Sequence, residues 1–264
     1  MLSPSDAESA SFSAFARRAR AEPDRTLIAL DVDGTVSEIA STPQEAHVDD
    51  DVRRTIERLA DRYQVWFLSG RDADAARELV GVQRAGYIGA HGLEVLDGEG
   101  LRPLFDASGR AATLDRLAAA VAAEVPEVEP YIERKRWSVA FHYRASPDMA
   151  PRLRKSIESR LEAGLQLRSG KMVYEVMPAV ERDKGTALRW LLAAQRPRHV
   201  FVAGDDETDL AMFRALAAED VDGLRVAVVH EQETPAGLVE GADLSVAGVQ
   251  GLRRLLEELL GQGP

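Results

Sequence analysis

Two carboxylates at the end of an apolar run are the residues of this chain best placed to do chemistry. The run Leu27–Leu30 leads into Asp31 and Asp33, and Gly34-Thr35 then breaks it, which indicates a buried strand that ends at a loop. Ligands of open α/β sheets bind in the crevice outside the carboxyl ends of the strands, so chemistry is expected here. Because burying two acids costs several kcal/mol unless a partner compensates, we expect a bound cation beside them.

Later loops carry polar groups in the same kind of position, after an apolar run or near a helix start. They contain Ser69 and Arg71, His91, Lys184, and Asp205, Asp206 and Asp209. The carboxyl ends of parallel strands meet at one edge of a sheet, so this order predicts that the loops converge. Each loop has a plainer explanation when taken alone. Asp-x-Asp-Gly, Ser-Gly and Gly-Asp-Asp are common turns, an isolated lysine is usually solvated, and a histidine in a glycine-rich loop often bonds only backbone.

The elements that would position these loops alternate strand and helix, which is typical of a parallel sheet. Strands are expected from 27, 65, 87, 199, 225 and 243, and helices over 3–22, 73–80 behind Asp72, 186–194 and 209–218, with two more starting near 52 behind Asp49 and Asp50 and at 249. The sequence therefore predicts an α/β core, formed by residues 1–105 and 178–264.

The pattern changes between residues 106 and 177, where two repeats of helix, strand, strand are expected. The helices are predicted over 110–123 and 148–163, the latter closed by Gly164, and the strands over 129–133, 137–143, 165–168 and 172–177. Such repeats form an antiparallel sheet with helices on one face, so this stretch is predicted to be an inserted α+β domain.

Composition limits the partners. The chain has 264 residues, 45% of them hydrophobic, which is enough for one large or two modest cores. A net charge of -11 without a dense Lys/Arg cluster argues against nucleic-acid binding. The absence of cysteine excludes disulfides, thiol chemistry and cysteine-based zinc sites. No apolar run has signal-peptide or membrane-spanning length, so we expect a cytoplasmic protein that acts on a small molecule, with no membrane contact and no obligate protein partner.

The order of these motifs resembles a known superfamily. Asp31-Val32-Asp33-Gly34-Thr35, Ser69, Lys184 and Gly204–Asp209, with an α+β insert between the second and the third, resemble haloacid dehalogenase phosphatases with a C2-type cap. The resemblance implies a Rossmann-like parallel-sheet core with an inserted α+β cap. It also implies that Asp31 attacks phosphorus and that Asp33 shuttles a proton.

Phosphoryl transfer explains why these residue types would be needed. Attack by the Asp31 carboxylate would give an acyl phosphate, which splits one hard displacement into two easier ones. Asp33 would protonate the departing sugar oxygen and recover a proton from the attacking water. Ser69 and Lys184 would hold the phosphoryl oxygens, the first through its hydroxyl and the second through its charge.

Mg²⁺ is the expected cation, because it is hard and prefers carboxylates, phosphate oxygens and water. The expected ligands are Asp31, the carbonyl oxygen of Asp33 and Asp205. Asp209 would orient Asp205 or a metal-bound water, although Asp206 could exchange roles with it.

Within this superfamily the chain is most similar to the trehalose-6-phosphate phosphatases. The similarity lies in Ser69-Gly70-Arg71, Gly89-Ala90-His91-Gly92, Phe141-His142-Tyr143-Arg144, Gly170-Lys171 with Glu175, and Gly204–Asp209. It implies hydrolysis of trehalose 6-phosphate, with substrate contacts from Arg71, His91, Glu133, Lys135, Arg144, Lys171 and Glu175. One departure is Glu175-Val176-Met177-Pro178, where an arginine commonly precedes the proline. No synthase-like domain accompanies the phosphatase motifs, so we expect the chain to act alone.

Other functions stay open at this point. The rival substrates are sucrose 6-phosphate and glucosyl- or mannosyl-3-phosphoglycerate, and a non-catalytic sugar-phosphate-binding regulator is a further alternative. For the charged residues of the insert, the plainer alternative is a salt-bridged surface. Lys171 and Glu175 are expected on one face of the final strand of the insert, because they lie four residues apart.

Overall fold

The computed structural model describes residues 6–40, 45–170, 172–230 and 234–261. The chain divides into two compact units, a core unit (Met1–Leu104 with Arg182–Pro264) and an inserted unit (Phe105–Glu181). The inserted unit begins one residue before and ends four residues after the stretch 106–177 that the sequence singled out.

The elements are numbered in chain order over the described residues. The strands are β1 (Thr26–Leu30), β2 (Gln64–Leu68), β3 (Gly86–Gly89), β4 (Glu94–Asp97), β5 (Gly100–Pro103), β6 (Ile132–Arg134), β7 (Val139–His142), β8 (Leu165–Gly170), β9 (Val173–Pro178), β10 (His199–Gly204), β11 (Asp222–Val229) and β12 (Leu244–Ala247). The α-helices are α1 (Asp6–Ala21), α2 (Asp50–Ala60), α3 (Ala73–Val80), α4 (Arg110–Glu124), α5 (Ala150–Glu158), α6 (Lys184–Gln195), α7 (Asp209–Ala217), α8 (Ala236–Gly241) and α9 (Gly248–Leu259). None of these helices is both long enough and apolar enough to cross a membrane.

The core unit is built on a sheet with the order β12-β11-β10-β1-β2-β3-β4-β5. The strands from β12 to β3 are parallel, and β4 and β5 add an antiparallel hairpin at one edge. β1 is central and buried along its whole length, because apolar clusters cover both faces of the sheet. Ile28 and Leu30 belong to one cluster, and Leu27 and Ala29 belong to the other. The predicted parallel α/β core is confirmed.

The inserted unit contains an antiparallel sheet with the order β6-β7-β9-β8. Buried side chains of α4 and α5, including Leu117 and Leu153, form one apolar cluster with Phe141, Tyr174 and Val176 of the sheet. The predicted α+β composition of the insert is therefore confirmed.

Two predicted boundaries in the insert are wrong. The strand expected over 129–133 is replaced by a 3-10 helix, Pro126–Tyr131, and β6 begins only at Ile132. Pro130 explains this, because it has no backbone N–H to donate to a neighbouring strand. The helix expected to reach residue 163 ends at Glu158. The Ser159 hydroxyl and the Arg160 guanidinium donate to the carbonyl of Ser156, at 2.9 and 3.0 Å, and so cap this helix end.

The hairpin of β4 and β5 was not predicted, and it supplies an unexpected cap. Asp72 makes no side-chain capping bond at the start of α3. Instead Glu94, which is wholly buried in β4, accepts a hydrogen bond from the backbone N–H of Ala73 at 2.6 Å. The carboxylate thus satisfies an N–H group that has no partner within the helix and fixes the helix that follows the Ser69–Arg71 loop.

Candidate active site

A buried lysine joins two of the predicted carboxylates. Lys184 is the first residue of α6, whose N-cap Asp183 forms a capping box with Thr186. The Lys184 Nζ donates to Asp31 Oδ1 at 2.6 Å and to Asp209 Oδ1 at 2.7 Å. The relative exposures of Lys184, Asp31 and Asp209 are 4%, 4% and 0%. The explanation of Lys184 as a solvated helix residue is therefore wrong, because its charge is enclosed between two carboxylates.

Asp209 also organises the loop that follows β10. Its Oδ2 accepts hydrogen bonds from the backbone N–H groups of Asp205, at 3.0 Å, and Asp206, at 3.1 Å. The close approach needs a glycine at position 204, because an added Cβ there would lie 2.2 Å from Asp209 Cγ. Asp209 thus connects the loop to Lys184, because Oδ2 binds the loop backbone and Oδ1 binds the Lys184 ammonium.

Three carboxylates form an acidic cluster. Asp31, Asp205 and Asp209 each offer an oxygen, and these oxygens lie within 4.8 Å of one another. The Thr35 hydroxyl connects two of them, at 3.2 Å from Asp205 Oδ1 and 3.4 Å from Asp31 Oδ2. Asp206 is not brought into this cluster, since its exposed carboxylate accepts from the backbone N–H of Glu207 at 2.5 Å.

The cluster fits a divalent cation in both chemistry and charge. Its donors are carboxylate oxygens, which are the ligands that Mg²⁺ prefers. When the three carboxylates are ionised, Lys184 neutralises only one of their charges, so two negative charges remain. Asp31 and Asp205 would hold the metal, and Asp209, whose oxygens bond to Lys184 and the loop backbone, would orient Asp205.

The pKa values of the three carboxyl groups in this cluster are raised toward neutral pH. Burial raises the pKa of Asp31 to about 6, and the nearby Asp205 adds to this while Lys184 opposes it. Burial also raises the pKa of Asp205 and of Asp209 to about 6 each, with further repulsion from a neighbouring carboxylate. Burial lowers the pKa of Lys184, but Asp209 and Asp31 together raise it by more, so the ammonium stays charged.

The second acid of the pair, Asp33, is held by an arginine. Arg71 Nε donates to Asp33 Oδ2 at 2.8 Å, and Arg71 Nη2 donates to Asp33 Oδ1 at 2.6 Å. This two-point contact fixes both the position and the plane of the carboxylate, and the hydrogen bond to Asp33 raises the pKa of Arg71. The sequence indicated only a substrate contact for Arg71, whereas the structure gives it a second role toward Asp33.

The remaining predicted loops of the core unit meet beside β2. The hydroxyl of Ser69, a buried residue, accepts from the backbone N–H of Arg71 at 3.1 Å. The backbone N–H of His91 donates to the carbonyl of Ser69 at 3.0 Å. The His91 ring packs directly on Gly70, where an added Cβ would lie 2.7 Å from the ring. Ser69, Arg71 and His91 are thus brought together, as the order of the strands predicts.

One histidine that the sequence analysis did not select contacts the loop 31–35 that follows β1. His230 follows the end of β11, and its Nε2 lies 2.6 Å from the carbonyl oxygen of Gly34. It stands after an apolar strand at the same sheet edge as Asp205. The rule that selected the acidic loop after β10 applies equally here and would have found it.

Three of the predicted sugar-binding residues of the inserted unit, Glu133, Lys135 and Glu175, contact other polar side chains of that unit. Lys135 Nζ lies 3.2 Å from Glu175 Oε1, and Glu133 Oε2 lies 3.0 Å from the His142 ring. These are the contacts that the salt-bridged alternative expects. Arg144 is exposed after β7, and Lys171 lies outside the described residues.

Strand register nevertheless places the two acids on one face of the inserted sheet. Ala140 of β7 pairs with Glu133 on one side and with Glu175 on the other, so these side chains form one cross-strand row. Arg168 of β8 extends the row beyond Glu175. β9 begins at Val173, so the alternation argument that paired Lys171 with Glu175 does not reach position 171.

Comparison with known proteins decides the family. A family model described as trehalose-phosphatase matches residues 29–237, which include the loop that carries Asp31 and Asp33, the inserted unit and the acidic loop after β10. The chain belongs to the trehalose-phosphatase family. The resemblance read from the motifs is confirmed.

This member of the trehalose-phosphatase family is similar to known proteins in both sequence and fold. A trehalose-phosphate phosphatase of Mycobacterium marinum is 31% identical over 220 residues, which cover 79% of this chain and 55% of that protein. The chain therefore spans little more than half the length of this curated relative. A crystal form of Aspergillus fumigatus trehalose-6-phosphate phosphatase has a TM-score of 0.66 at 26% identity and covers 96% of this chain and 97% of its own.

A third neighbour shows the fold of the trehalose-phosphatase chain at lower identity. It is a haloacid dehalogenase-like hydrolase from Bacteroides thetaiotaomicron, with a TM-score of 0.63 and 16% identity, and it covers 89% of this chain and 99% of its own. The haloacid dehalogenase fold is confirmed by this match.

Proposed function

We propose that this chain is a Mg²⁺-dependent phosphatase that hydrolyses trehalose 6-phosphate to trehalose and phosphate through an aspartyl phosphate on Asp31. The observation that carries the proposal is the enclosed contact of Lys184 with Asp31 inside the acidic cluster. Membership of the trehalose-phosphatase family supports the choice of substrate.

The first step requires an ionised and oriented carboxylate at Asp31. The ammonium of Lys184, 2.6 Å away, favours the ionised form and fixes the side chain. The backbone N–H of Asp31 donates to the Ala203 carbonyl at 3.0 Å, which ties the nucleophile to β10 as well as to β1. Mg²⁺ bound at the cluster would neutralise the phosphoryl oxygens as the carboxylate attacks.

The leaving sugar needs a proton, and the phosphoryl oxygens need a hydrogen-bond donor. Asp33, once protonated, would give its proton to the departing oxygen and then regain one from the water that hydrolyses the acyl phosphate. Before it can do so, its two-point contact with Arg71 must loosen, and an incoming phosphate is a natural competitor for the guanidinium. The buried Ser69 hydroxyl, at the end of the neighbouring strand β2, would donate to a phosphoryl oxygen.

Selection of the sugar would fall to the inserted unit. One face of its sheet carries the carboxylates of Glu133 and Glu175 in one row. Carboxylates and ammonium groups of this kind can bind the many hydroxyls of a disaccharide. We propose substrate contacts from Glu133, Lys135, Arg144, Lys171 and Glu175. We also propose a cytoplasmic location, because phosphorylated sugars are charged and cross lipid poorly.

The test is phosphate release from a panel of sugar phosphates, with Mg²⁺ or with EDTA. The panel contains trehalose 6-phosphate, sucrose 6-phosphate and glucosyl- and mannosyl-3-phosphoglycerate. Trehalose 6-phosphate is expected to have the highest kcat/KM, and EDTA is expected to abolish turnover. Asp31→Asn should be inactive, whereas Asp61→Asn, which alters an exposed aspartate paired with Arg84, should behave as the parent.

Either of two other results would replace the proposal. Preference for another member of the panel would reassign the substrate. Binding of sugar phosphates without any phosphate release would make the chain a sugar-phosphate-binding regulator instead of an enzyme.

A further inference from the structure

We propose that His230 is a positioning residue of the metal site, which acts by holding the carbonyl of Gly34 in the nucleophile loop. The identity of the cation as Mg²⁺ rests on the proposed function. The positioning role itself rests on a chain of contacts that runs from His230 through Gly34 to Asp205.

The first contact shows which ring nitrogen of His230 carries a hydrogen. His230 Nε2 lies 2.6 Å from the Gly34 carbonyl oxygen, and a carbonyl can only accept, so Nε2 carries the hydrogen and donates it. The backbone of His230 is itself anchored. Its N–H donates to the Thr234 hydroxyl at 2.8 Å, and that hydroxyl donates to the His230 carbonyl at 3.3 Å. The imidazole is therefore presented to the loop from a fixed base after β11.

The second contact lies between Gly34 and the acidic cluster. Gly34 has a φ of 80°, and an added Cβ would lie 2.0 Å from Asp205 Oδ2. The Gly34 backbone thus packs directly against a proposed metal ligand. Its N–H donates to the Ser37 carbonyl at 2.8 Å, so the turn is tied on one side to Ser37 and on the other to His230.

These two ties have a consequence for the metal. If the Gly34 carbonyl loses its donor, the Gly34–Thr35 peptide is held only through the N–H of Thr35, which donates to the Val32 carbonyl at 3.3 Å, and it can tilt. A tilt changes the packing of Gly34 against Asp205 and shifts the adjacent peptide, whose carbonyl belongs to Asp33, a proposed ligand. Groups that orient metal ligands in this way typically change metal affinity by roughly 10- to 100-fold when they are removed.

The experiment measures Mg²⁺ binding by calorimetry, without substrate and at one pH. His230→Leu keeps the bulk and removes the donor, and it should raise the Kd for Mg²⁺ by about tenfold. His230→Gln restores an N–H donor and should return the Kd to within about threefold of the parent. His47→Leu is the matched control, because His47 also approaches a backbone carbonyl, that of Glu45 at 3.4 Å, but at an exposed position outside the site.

A kinetic comparison separates positioning from general damage. In His230→Leu, the Mg²⁺ concentration that gives half-maximal activity should rise by the same factor as the Kd. The KM for trehalose 6-phosphate at saturating Mg²⁺ should change less than about twofold, because His230 orients the metal ligands and not the sugar. A loosened fold would instead affect both parameters.

Three results would overturn the inference. They are a parent protein without Mg²⁺ binding, a folded His230→Leu with parental affinity, and a His230→Gln as weak as the leucine variant. If His230→Leu does not fold, Thr234→Val is tested instead, because it removes the hydroxyl that anchors the backbone of His230. Unchanged Mg²⁺ affinity in Thr234→Val would then refute the chain of contacts. Calorimetry needs no turnover, so it also separates this inference from the proposed function. If Mg²⁺ binding depends on His230 but the protein does not hydrolyse trehalose 6-phosphate, the proposed substrate is refuted and this inference stands.

Discussion

Replacement of Lys184 by methionine tests how the buried site is held together. Methionine keeps most of the length of the side chain and removes the charge. In the parent, the ammonium lies 2.6 Å from Asp31 Oδ1 and 2.7 Å from Asp209 Oδ1, and water reaches none of the three groups appreciably. The variant therefore leaves two carboxylates in a buried place without their cation.

The size of the effect follows from that geometry. Removing one partner of a buried ion pair costs roughly 3–5 kcal/mol, because the remaining charge has lost both water and its counter-ion. One ammonium serves two carboxylates here, so we expect a loss in the free energy of unfolding at the upper end of this range in metal-free protein at pH 8. Domains are typically stable by only about 5–15 kcal/mol, so such a loss is easily measured.

The loss should shrink as the pH falls. Burial already raises the pKa of Asp31 and of Asp209 to about 6, above their ordinary value of 3.8, and Lys184 is the group that opposes this rise. Without Lys184 both pKa values rise further. A group with a raised pKa in the folded state binds protons more readily there than in the unfolded chain, so lowering the pH from 8 to 5 stabilises the folded variant. The parent and the variant should differ most at pH 8 and least at pH 5.

The measurement is urea unfolding followed by circular dichroism, in EDTA, at pH 5, 6.5 and 8. Lys155→Met is the matched control, since Lys155 is an exposed lysine on α5, and it should change stability by less than about 0.5 kcal/mol. Equal stability of Lys184→Met and Lys155→Met at pH 8, or a difference that does not vary with pH, would refute the picture of an enclosed cation between two carboxylates.

Three other predictions concern turnover. Asp31→Asn should show no turnover, and Asp33→Asn should still bind substrate but release phosphate slowly; full activity in Asp31→Asn would exclude it as the nucleophile. Asp205→Ala should stay folded yet lose Mg²⁺ binding and activity, and EDTA followed by Mg²⁺ should abolish and restore turnover of the parent; turnover unaffected by EDTA would contradict this. Glu175→Ala and Lys171→Ala should each lower kcat/KM for trehalose 6-phosphate by about ten- to a hundredfold, with little change for a small aryl phosphate. Equal losses on both substrates would show that these side chains do not read the sugar.

The parts of the structure that could be predicted from sequence are those set by local pattern. An apolar run followed by polar residues marks a buried strand and its exit loop, which is why the loops at Asp31, Ser69 and Asp205 were found. The alternation of strands and helices then places the loops at one sheet edge. Local pattern failed where prolines or side-chain caps decided the boundary, as at Pro130 and after α5.

The details of the site depend on contacts between distant residues, which a pattern does not show. The sequence left the roles of Asp206 and Asp209 open. In the structure Asp209 joins the cluster, because it is the first residue of α7 and its carboxylate bonds both to the preceding loop and to Lys184. The contact of Arg71 with Asp33 joins residues 38 positions apart in two different loops, so it could be seen only after folding.

The most direct test of the account is to trap the phosphoenzyme. Asp33→Asn, which should still form some acyl phosphate without its proton donor and hydrolyse it slowly, is mixed with trehalose 6-phosphate labelled in the phosphate, quenched in acid and digested. The account predicts a label that hydroxylamine removes, on the peptide that contains Asp31, and no label in the double variant that also carries Asp31→Asn. Phosphate release without any label on that peptide, or a label on another residue, would contradict it.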